Sequence, residues 1–245
     1  MEVAIKINNL KKEYKEVVAV NNLNLEIYDG ELFSLLGVNG AGKTTTIKML
    51  STLCRPSSGE AYIYGNSIDK DEDKIKELVD VSMQETAIAR KLTVEENIEF
   101  YAKLSGQNKE EIEESKKYLY ESFELDKVKG RQAMKLSGGW QRKLSIALAL
   151  VTNPKVLFLD EPTLGLDVIA RRELWKTIKS LKGKMTIILT THYMEEAEAL
   201  SDRIGIMKDG SLLFVGTKEE LFNQTKKNNV EEAFINIVSG GDLND

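Results

Sequence analysis

The 245-residue sequence is short of several things. It has one cysteine, Cys54, so no intrachain disulfide can form, which suits a reducing compartment. Its longest apolar run, Ile146 to Val151, is six residues. A membrane-spanning helix needs about 20. Any membrane-spanning part is therefore expected from another chain. The start, at Glu2, has no basic segment leading into an apolar stretch, so no secretory signal is expected. Positive charge is not in excess: 34 Lys and Arg face 39 Asp and Glu, a net charge of −5. Such a chain is not built to neutralise a nucleic-acid backbone, and no nucleic-acid partner is expected. There is no internal repeat and no low-complexity segment. What remains is 42% apolar residues, enough to bury a core, and 30% charged residues with both signs interspersed.

Val3, Ile5 and Ile7 alternate with polar neighbours, as do Leu23, Leu25 and Ile27, so residues 3 to 36 are predicted to be mostly strand. After the Asp29-Gly30 turn, Leu32-Phe33-Ser34-Leu35-Leu36 is apolar on both faces and reads as a buried strand. It feeds a glycine loop, and Thr44 to Leu50 then reads as a helix. Gly59 to Gly65 is expected to be a short strand. From about 86 to 136 the pattern turns helical. Thr93 and Glu96 form a capping box for a helix through Leu104. Ile112, Leu119 and Phe123 mark one face of a second helix, whose charged stretch Lys109 to Lys117 is read as solvated. Helices and strands then alternate. Leu144 to Val151 is a helix and Val156 to Leu159 a buried strand. Val168 to Leu181 is a helix capped by Asp167, with Gly183 just past its end and Trp175 expected in the core near Ile178 and Leu181. Met185 to Leu189 is another buried strand. Arg203 to Met207 and Leu212 to Val215 form a hairpin around Asp209-Gly210. Thr217 and Glu220 form a second capping box. The polar tail carries only an amphipathic turn or two around Val230, Phe234 and Ile237.

Gly37-Val38-Asn39-Gly40-Ala41-Gly42-Lys43-Thr44 fits G-x-x-x-x-G-K-[ST] at every fixed position. Glycines let successive N–H groups turn inward and cradle phosphate oxygens, and the next helix points its positive end at the same anion. Lys43 brings a full charge to the β- and γ-phosphates. The Thr44 hydroxyl suits Mg²⁺, a hard, oxygen-seeking ion. The loop alone does not choose among GTPases, kinases and transport ATPases. Val156 to Leu159 ends in two carboxylates, Asp160 and Glu161. Asp160 at the strand end can hold Mg²⁺, and Glu161 is placed to polarise an attacking water.

A second anion-binding element lies 24 residues before Asp160, where Leu136-Ser137-Gly138-Gly139 opens a helix. One nucleotide needs one phosphate cradle, so a second needs a reason. At this point the chain resembles the nucleotide-binding subunits of ATP-binding cassette (ABC) transporters, over essentially its whole length and with the motifs in the family's order. The resemblance implies an α/β fold: a P-loop NTPase core with a mixed β-sheet, an N-terminal antiparallel β-subdomain and an inserted α-helical subdomain. It places one ABC ATPase domain at 1–225, with the helical subdomain at about 86–150 inserted in a RecA-like core. A short tail with an amphipathic helix is left at 226–245. It implies a head-to-tail pair of cassettes in which Ser137, Gly138 and Gly139 of one subunit clamp the γ-phosphate held by the other. Tyr14 matches the aromatic that stacks on adenine, and Gln84 the glutamine that closes on Mg²⁺ and the attacking water. Leu164-Gly165-Leu166-Asp167 resembles the loop whose aspartate reaches across the dimer. His192, the one histidine, matches the switch histidine. A lone histidine is more often structural, but its place at a strand end after Thr191 reverses that.

The implied catalytic set is Glu161, His192, Gln84 and Lys43. The implied nucleotide set is Tyr14, Gly37, Asn39, Gly40, Ala41, Gly42, Lys43, Thr44 and Thr45, with Ser137, Gly138 and Gly139 from the facing subunit. Thr44, Gln84 and Asp160 are the implied Mg²⁺ ligands. Two positions depart from the family's pattern. Trp140 stands where glutamine is frequent, which questions a side-chain contact there but not the backbone cradle. Val38 replaces a frequent proline, with little effect expected. The Thr190 to Ala197 stretch and the Thr163 to Asp167 loop are similar to those of exporters for drugs, antibiotics and peptides. The implied protein is an ATP-hydrolysing subunit at the inner face of the cell membrane, driving a separate permease. The alternative is a soluble ABC ATPase acting on ribosomes or DNA. Those on ribosomes commonly carry two cassettes in one chain and those on DNA long coiled-coil insertions, and neither is present.

Overall fold

A computed structural model describes residues 2–240. The chain begins with a two-stranded ribbon, β1 (Val3–Tyr14) and β2 (Val17–Tyr28), followed by β3 (Leu32–Leu36), α1 (Lys43–Leu50), β4 (Ser58–Ile63) and the short β5 (Asn66–Ser67). Next come α2 (Glu72–Leu78), β6 (Val79–Ser82), α3 (Val94–Leu104), α4 (Lys109–Phe123), α5 (Gly138–Ala149) and β7 (Val156–Asp160). The last part is α6 (Val168–Leu181), β8 (Thr186–Thr191), α7 (Met194–Leu200), β9 (Arg203–Lys208), β10 (Ser211–Gly216), α8 (Lys218–Thr225) and α9 (Val230–Ser239). Two sheets result. One is antiparallel, in the order β2-β1-β4-β5; the other is mixed, in the order β10-β9-β3-β8-β7-β6. In the mixed sheet β9, β3, β8, β7 and β6 run parallel, and β10 returns antiparallel.

β3, β7 and β8 are buried at every residue, as central parallel strands covered on both faces are, and their sequences are apolar apart from Ser34, Asp160 and the threonines of β8. Their alternating side chains feed two cores. Leu157, Leu159, Ile187 and Leu189 face a cluster built with α3, α4, α5 and α6. Val156, Phe158 and Ile188 face the opposite cluster, shared with α1 and the antiparallel sheet. Truncating Leu157 or Leu159 to alanine is expected to cost about 2–5 kcal/mol.

Three details differ from the sequence reading. α9 is a ten-residue helix docked on β9 and β10, with Val230, Ala233 and Phe234 buried, so it is more than a turn or two in a polar tail. The stretch read as a solvated charged face contains Lys116, which is buried and holds Glu95, Glu99 and Glu113 at 2.8, 3.1 and 3.0 Å. Residues 72–82, unassigned from sequence, form α2 and β6; β6 brings Gln84 to the same sheet edge as Asp160. The capping boxes at Thr93 and Thr217 form as read, and a third joins Asn108 to Glu111.

Candidate functional site

Four neighbouring parallel strands end on one edge of the mixed sheet, and the sequence-predicted residues follow them directly. β3 leads into Gly37–Gly42, β8 into His192, β7 into Glu161 and β6 into Met83-Gln84. In open α/β sheets, ligands bind outside the carboxyl ends of such strands. The register sets the spacing, pairing Leu36 with Thr191, Asp160 with Thr190 and Ser82 with Leu159.

The loop wraps tightly. Gly42 caps α1 at φ 105°, and a Cβ there would lie 2.3 Å from the Ala19 carbonyl oxygen. Only glycine meets both demands. The Lys43 ammonium, 6% exposed, donates to the carbonyls of Gly37 at 2.7 Å and Val38 at 3.2 Å. It also lies 3.2 Å from Glu161 Oε1. The other oxygen, Oε2, is 2.6 Å from His192 Nδ1. Glu161 is thus held between the loop lysine and the lone histidine, and it is itself 6% exposed. Its backbone sits at φ 48°, a conformation that costs a non-glycine residue about 1–3 kcal/mol unless its surroundings fix it. The Glu161 N–H donates to both the carbonyl and the hydroxyl of Thr190, each at 3.1 Å.

Behind this pair, the Thr44 hydroxyl donates to Asp160 Oδ1 at 3.0 Å and the Thr190 hydroxyl to the same oxygen at 2.5 Å. A hydroxyl beside one carboxylate is an all-oxygen donor pair of the kind Mg²⁺ takes when phosphates and waters complete its shell. Among the described residues no cluster of three or more His, Cys, Asp or Glu could hold a metal without such help. Tyr14, Asn39 to Thr45, Gln84, Glu161, Leu164 and His192 line one cleft of about 680 Å³. Tyr14 is 46% exposed there, and its hydroxyl donates to Cys54 Sγ at 3.7 Å.

The predicted second cradle is elsewhere. Ser137, Gly138 and Gly139 do not line this cleft. Ser137 is exposed and caps α5 with its backbone, its side chain making no capping bond. Gly138 rests against the loop after β7 and Gly139 against α6: added Cβ atoms would meet Leu166 at 3.6 Å and Ala170 at 3.1 Å. Val168 and Ile169, in the first turn of α6 next to Ala170, are 63% and 73% exposed. The Asp167 carboxylate accepts from the N–H groups of Ile169 and Ala170, both at 2.9 Å, and so caps its own helix. The Trp140 indole packs inward on the helical core with the Lys143 ammonium 4.8 Å over its ring, while Ser137 and Gly138 are exposed and Gly139 is half-buried. Val38 is exposed and contributes its carbonyl alone.

Sequence reasoning missed several contributors. Thr190 was named only within the stretch similar to exporters, with no role of its own, and it lies in β8. Asn97 is fully buried; it accepts from the Ala89 N–H and donates to the carbonyls of Ala89, Leu92 and Thr93, fixing the segment after Gln84. Glu196, also fully buried, accepts from Trp175 Nε1 at 3.0 Å. Burial pushes its carboxyl above the usual range, opposed by the Trp175 hydrogen bond, and its Oε2 is buried without a hydrogen-bond partner. Arg142 lies buried behind Glu161.

Residues 20–164 match the ABC transporter family model. The human protein named phospholipid-transporting ATPase ABCA3 is 43% identical over 217 residues, which are 87% of this chain and 13% of that protein. ABC transporter A family member 7 of Dictyostelium discoideum is 42% identical over 222 residues, 90% of this chain and 26% of that one. The chain therefore spans about an eighth to a quarter of the length of these relatives. Among solved structures, an ATP-binding subunit of an ABC transporter superposes with a TM-score of 0.84 at 26% identity, covering 96% of this chain and 99% of that one. An ATP-binding cassette solved as a dimer in a post-hydrolysis state with ADP and phosphate superposes at 0.77 with 28% identity, covering 87% and 98%.

Proposed function

Because the chain belongs to the ABC transporter family of ATPase cassettes, we propose that it powers a membrane permease, in the export direction, through ATP-driven closure of two cassettes on each other. One observation carries the reading. The cleft at 37–45 gathers Lys43, Glu161 and His192, while Ser137, Gly138 and Gly139 lie off it on an exposed face beside Val168 and Ile169. Two phosphate-directed elements that cannot serve one nucleotide fit a pair in which each serves the other's.

In the proposed cycle the adenine stacks on Tyr14 and the phosphates lie on the N–H groups of the loop from Asn39 to Thr45, the stretch that lines the cleft, while the Gly37 N–H stays on the Thr191 carbonyl at 3.2 Å. Lys43 has three donors, taken up by Gly37, Val38 and Glu161. A phosphate oxygen competes with Glu161 for that ammonium, and the carboxylate is released toward the γ-phosphate. Glu161 then accepts a proton from the attacking water. The water oxygen bonds to the γ-phosphorus, the bond to the bridging oxygen breaks, and ADP and inorganic phosphate result. His192 holds the second carboxylate oxygen. Mg²⁺ on Thr44, Asp160 and Gln84 would neutralise charge on the β- and γ-phosphates. Ser137 and Gly139 of the facing cassette hold the γ-phosphate, so its loss loosens the pair.

No helix among the described residues is long and apolar enough to cross a membrane. The proposed membrane part is a separate permease, with the cassette peripheral on the cytoplasmic face. The structural neighbour described as an ATP-binding subunit of an ABC transporter supports a cassette that serves a transporter. The name of the human relative extends the proposed cargo from drugs, antibiotics and peptides to phospholipid-like molecules. Purifying the chain from detergent-solubilised membranes and identifying what accompanies it tests the reading. An integral membrane protein is expected; ribosomal or DNA-repair partners would overturn it.

A further inference from the structure

Arg142 lies on α5, the helix that Ser137 opens, and is 5% exposed. Its hydrogen-bond partners are all backbone carbonyls. Nε donates to Pro162 at 2.7 Å, Nη2 to Asp160 at 2.8 Å and Glu161 at 3.0 Å, and Nη1 to Met83 at 2.6 Å and Gln84 at 3.2 Å. Burial lowers the guanidinium to about 10, opposed by the charges of Asp160, Glu196 and Glu161. A buried cation with no carboxylate bonded to it is a poor way to gain stability, since an apolar side chain of similar volume would fill the space at less expense. The five bonds therefore call for another account.

The carbonyls of Asp160, Glu161 and Pro162 are consecutive, and all three turn toward one guanidinium. Glu161, in the middle, is the residue at φ 48°. Such a conformation persists where its surroundings over-determine it. Thr190 takes the Glu161 N–H and Arg142 takes the three oxygens, so between them they set the direction of the carboxylate toward Lys43 and His192. The remaining arm of the same rigid fork holds the carbonyls on either side of the Met83-Gln84 bond. Lysine, with its donors on one nitrogen, cannot span both loops.

We propose that Arg142 is a positioning residue that holds the Met83-Gln84 loop and the left-handed Asp160–Pro162 turn in one register against the helix that begins at Ser137, so that movement of Gln84 is felt at Glu161. The proposal rests on the reading of Glu161 and Gln84 given above and adds the part that joins them.

The test uses the full chain with Arg142→Lys and Arg142→Met. Without nucleotide, hydrogen exchange in peptides covering 83–86 and 160–164 is expected to quicken about tenfold in both segments together, with the β1–β2 ribbon unchanged. In steady state kcat is expected to fall about 100-fold, as for small misplacements of a reacting group, while MgATP affinity stays within about threefold. Adding Gln84→Ala to either variant should lower kcat no further. Unchanged exchange, loosening of only one segment, parallel loss of affinity and kcat, or multiplying losses in the double variant would each overturn the proposal. Should the Met variant fail to fold, the Lys variant, which keeps the charge, decides it. A wild-type chain that hydrolyses no ATP would sink the reading of Glu161, and the exchange arm would still decide whether Arg142 joins the two loops.

Discussion

The two phosphate-directed regions of this chain are built in opposite ways. Around Lys43 nearly every polar group is engaged within the chain: ammonium to carbonyls and carboxylate, carboxylate to imidazole, hydroxyls to Asp160. Around Ser137 the side chain makes no capping bond, and Val168 and Ile169, which precede the Ala170 that Gly139 packs against, stand in solvent. The first region is ordered by its own fold, which suits the catalytic role proposed for it, where geometry precedes the substrate. The second has the marks of a surface completed by contact: open backbone at a helix start, flanked by exposed aliphatic side chains. Preorganised chemistry on one face and unspent binding capacity on the other fit the proposed pairing of two cassettes.

The comparison can be broken from either side. On the first, Glu161→Gln is expected to lower kcat about 1,000-fold with nucleotide affinity nearly unchanged, measured as phosphate release beside a binding titration. If turnover stays within tenfold, the carboxylate between Lys43 and His192 is not the base. Lys43→Ala is expected to weaken MgATP binding about 10- to 100-fold, the worth of a charged hydrogen-bonding group. Unchanged affinity would refute the cradle. On the second side, Ile169→Lys should leave the affinity of the single chain for ATP untouched and weaken ATP-driven pairing about tenfold, read by ultracentrifugation. A loss of nucleotide affinity instead would mean that the two regions are not separate. Tyr14→Ala is expected to weaken ATP about tenfold and inorganic triphosphate far less, since stacking acts on the base alone. Equal losses would make Tyr14 a packing residue.

The smallest effect concerns Glu196. Its folded pKa is raised by burial, so the stability it contributes is full below about 4.5 and lost as pH rises through the folded value. Glu196→Gln cannot ionise. The melting temperature of the variant is therefore expected to gain on that of the native chain as pH rises from 5 to 8. A difference that stays flat across that range would show that burial does not raise the Glu196 carboxyl.

Much of the first region was legible in the sequence because its signals are local. The mostly apolar runs at 32–36, 156–159 and 185–189 read as buried strands, and each delivers a motif at its end. The capping boxes announced α3 and α8 for the same reason. What stayed hidden depends on partners distant in the chain. β6 reads Val-Asp-Val-Ser, too short and polar to be recognised without β7 beside it. Arg142 and Lys116 look like ordinary helix-surface charges; that both are buried follows from the backbone oxygens and glutamates that packing brings to them. Carbonyl acceptors leave no trace in a sequence, so a guanidinium that bonds only to carbonyls is invisible until the fold is known.

The central claim is that the cleft at Lys43 is half of a site completed by Ser137, Gly138 and Gly139 of a second cassette. It is tested most directly by sizing the Glu161→Gln chain with and without MgATP. The account predicts a monomer without nucleotide and a dimer with it, dispersed again by Ser137→Arg; a monomer under both conditions, with ATP shown to be bound, would contradict it.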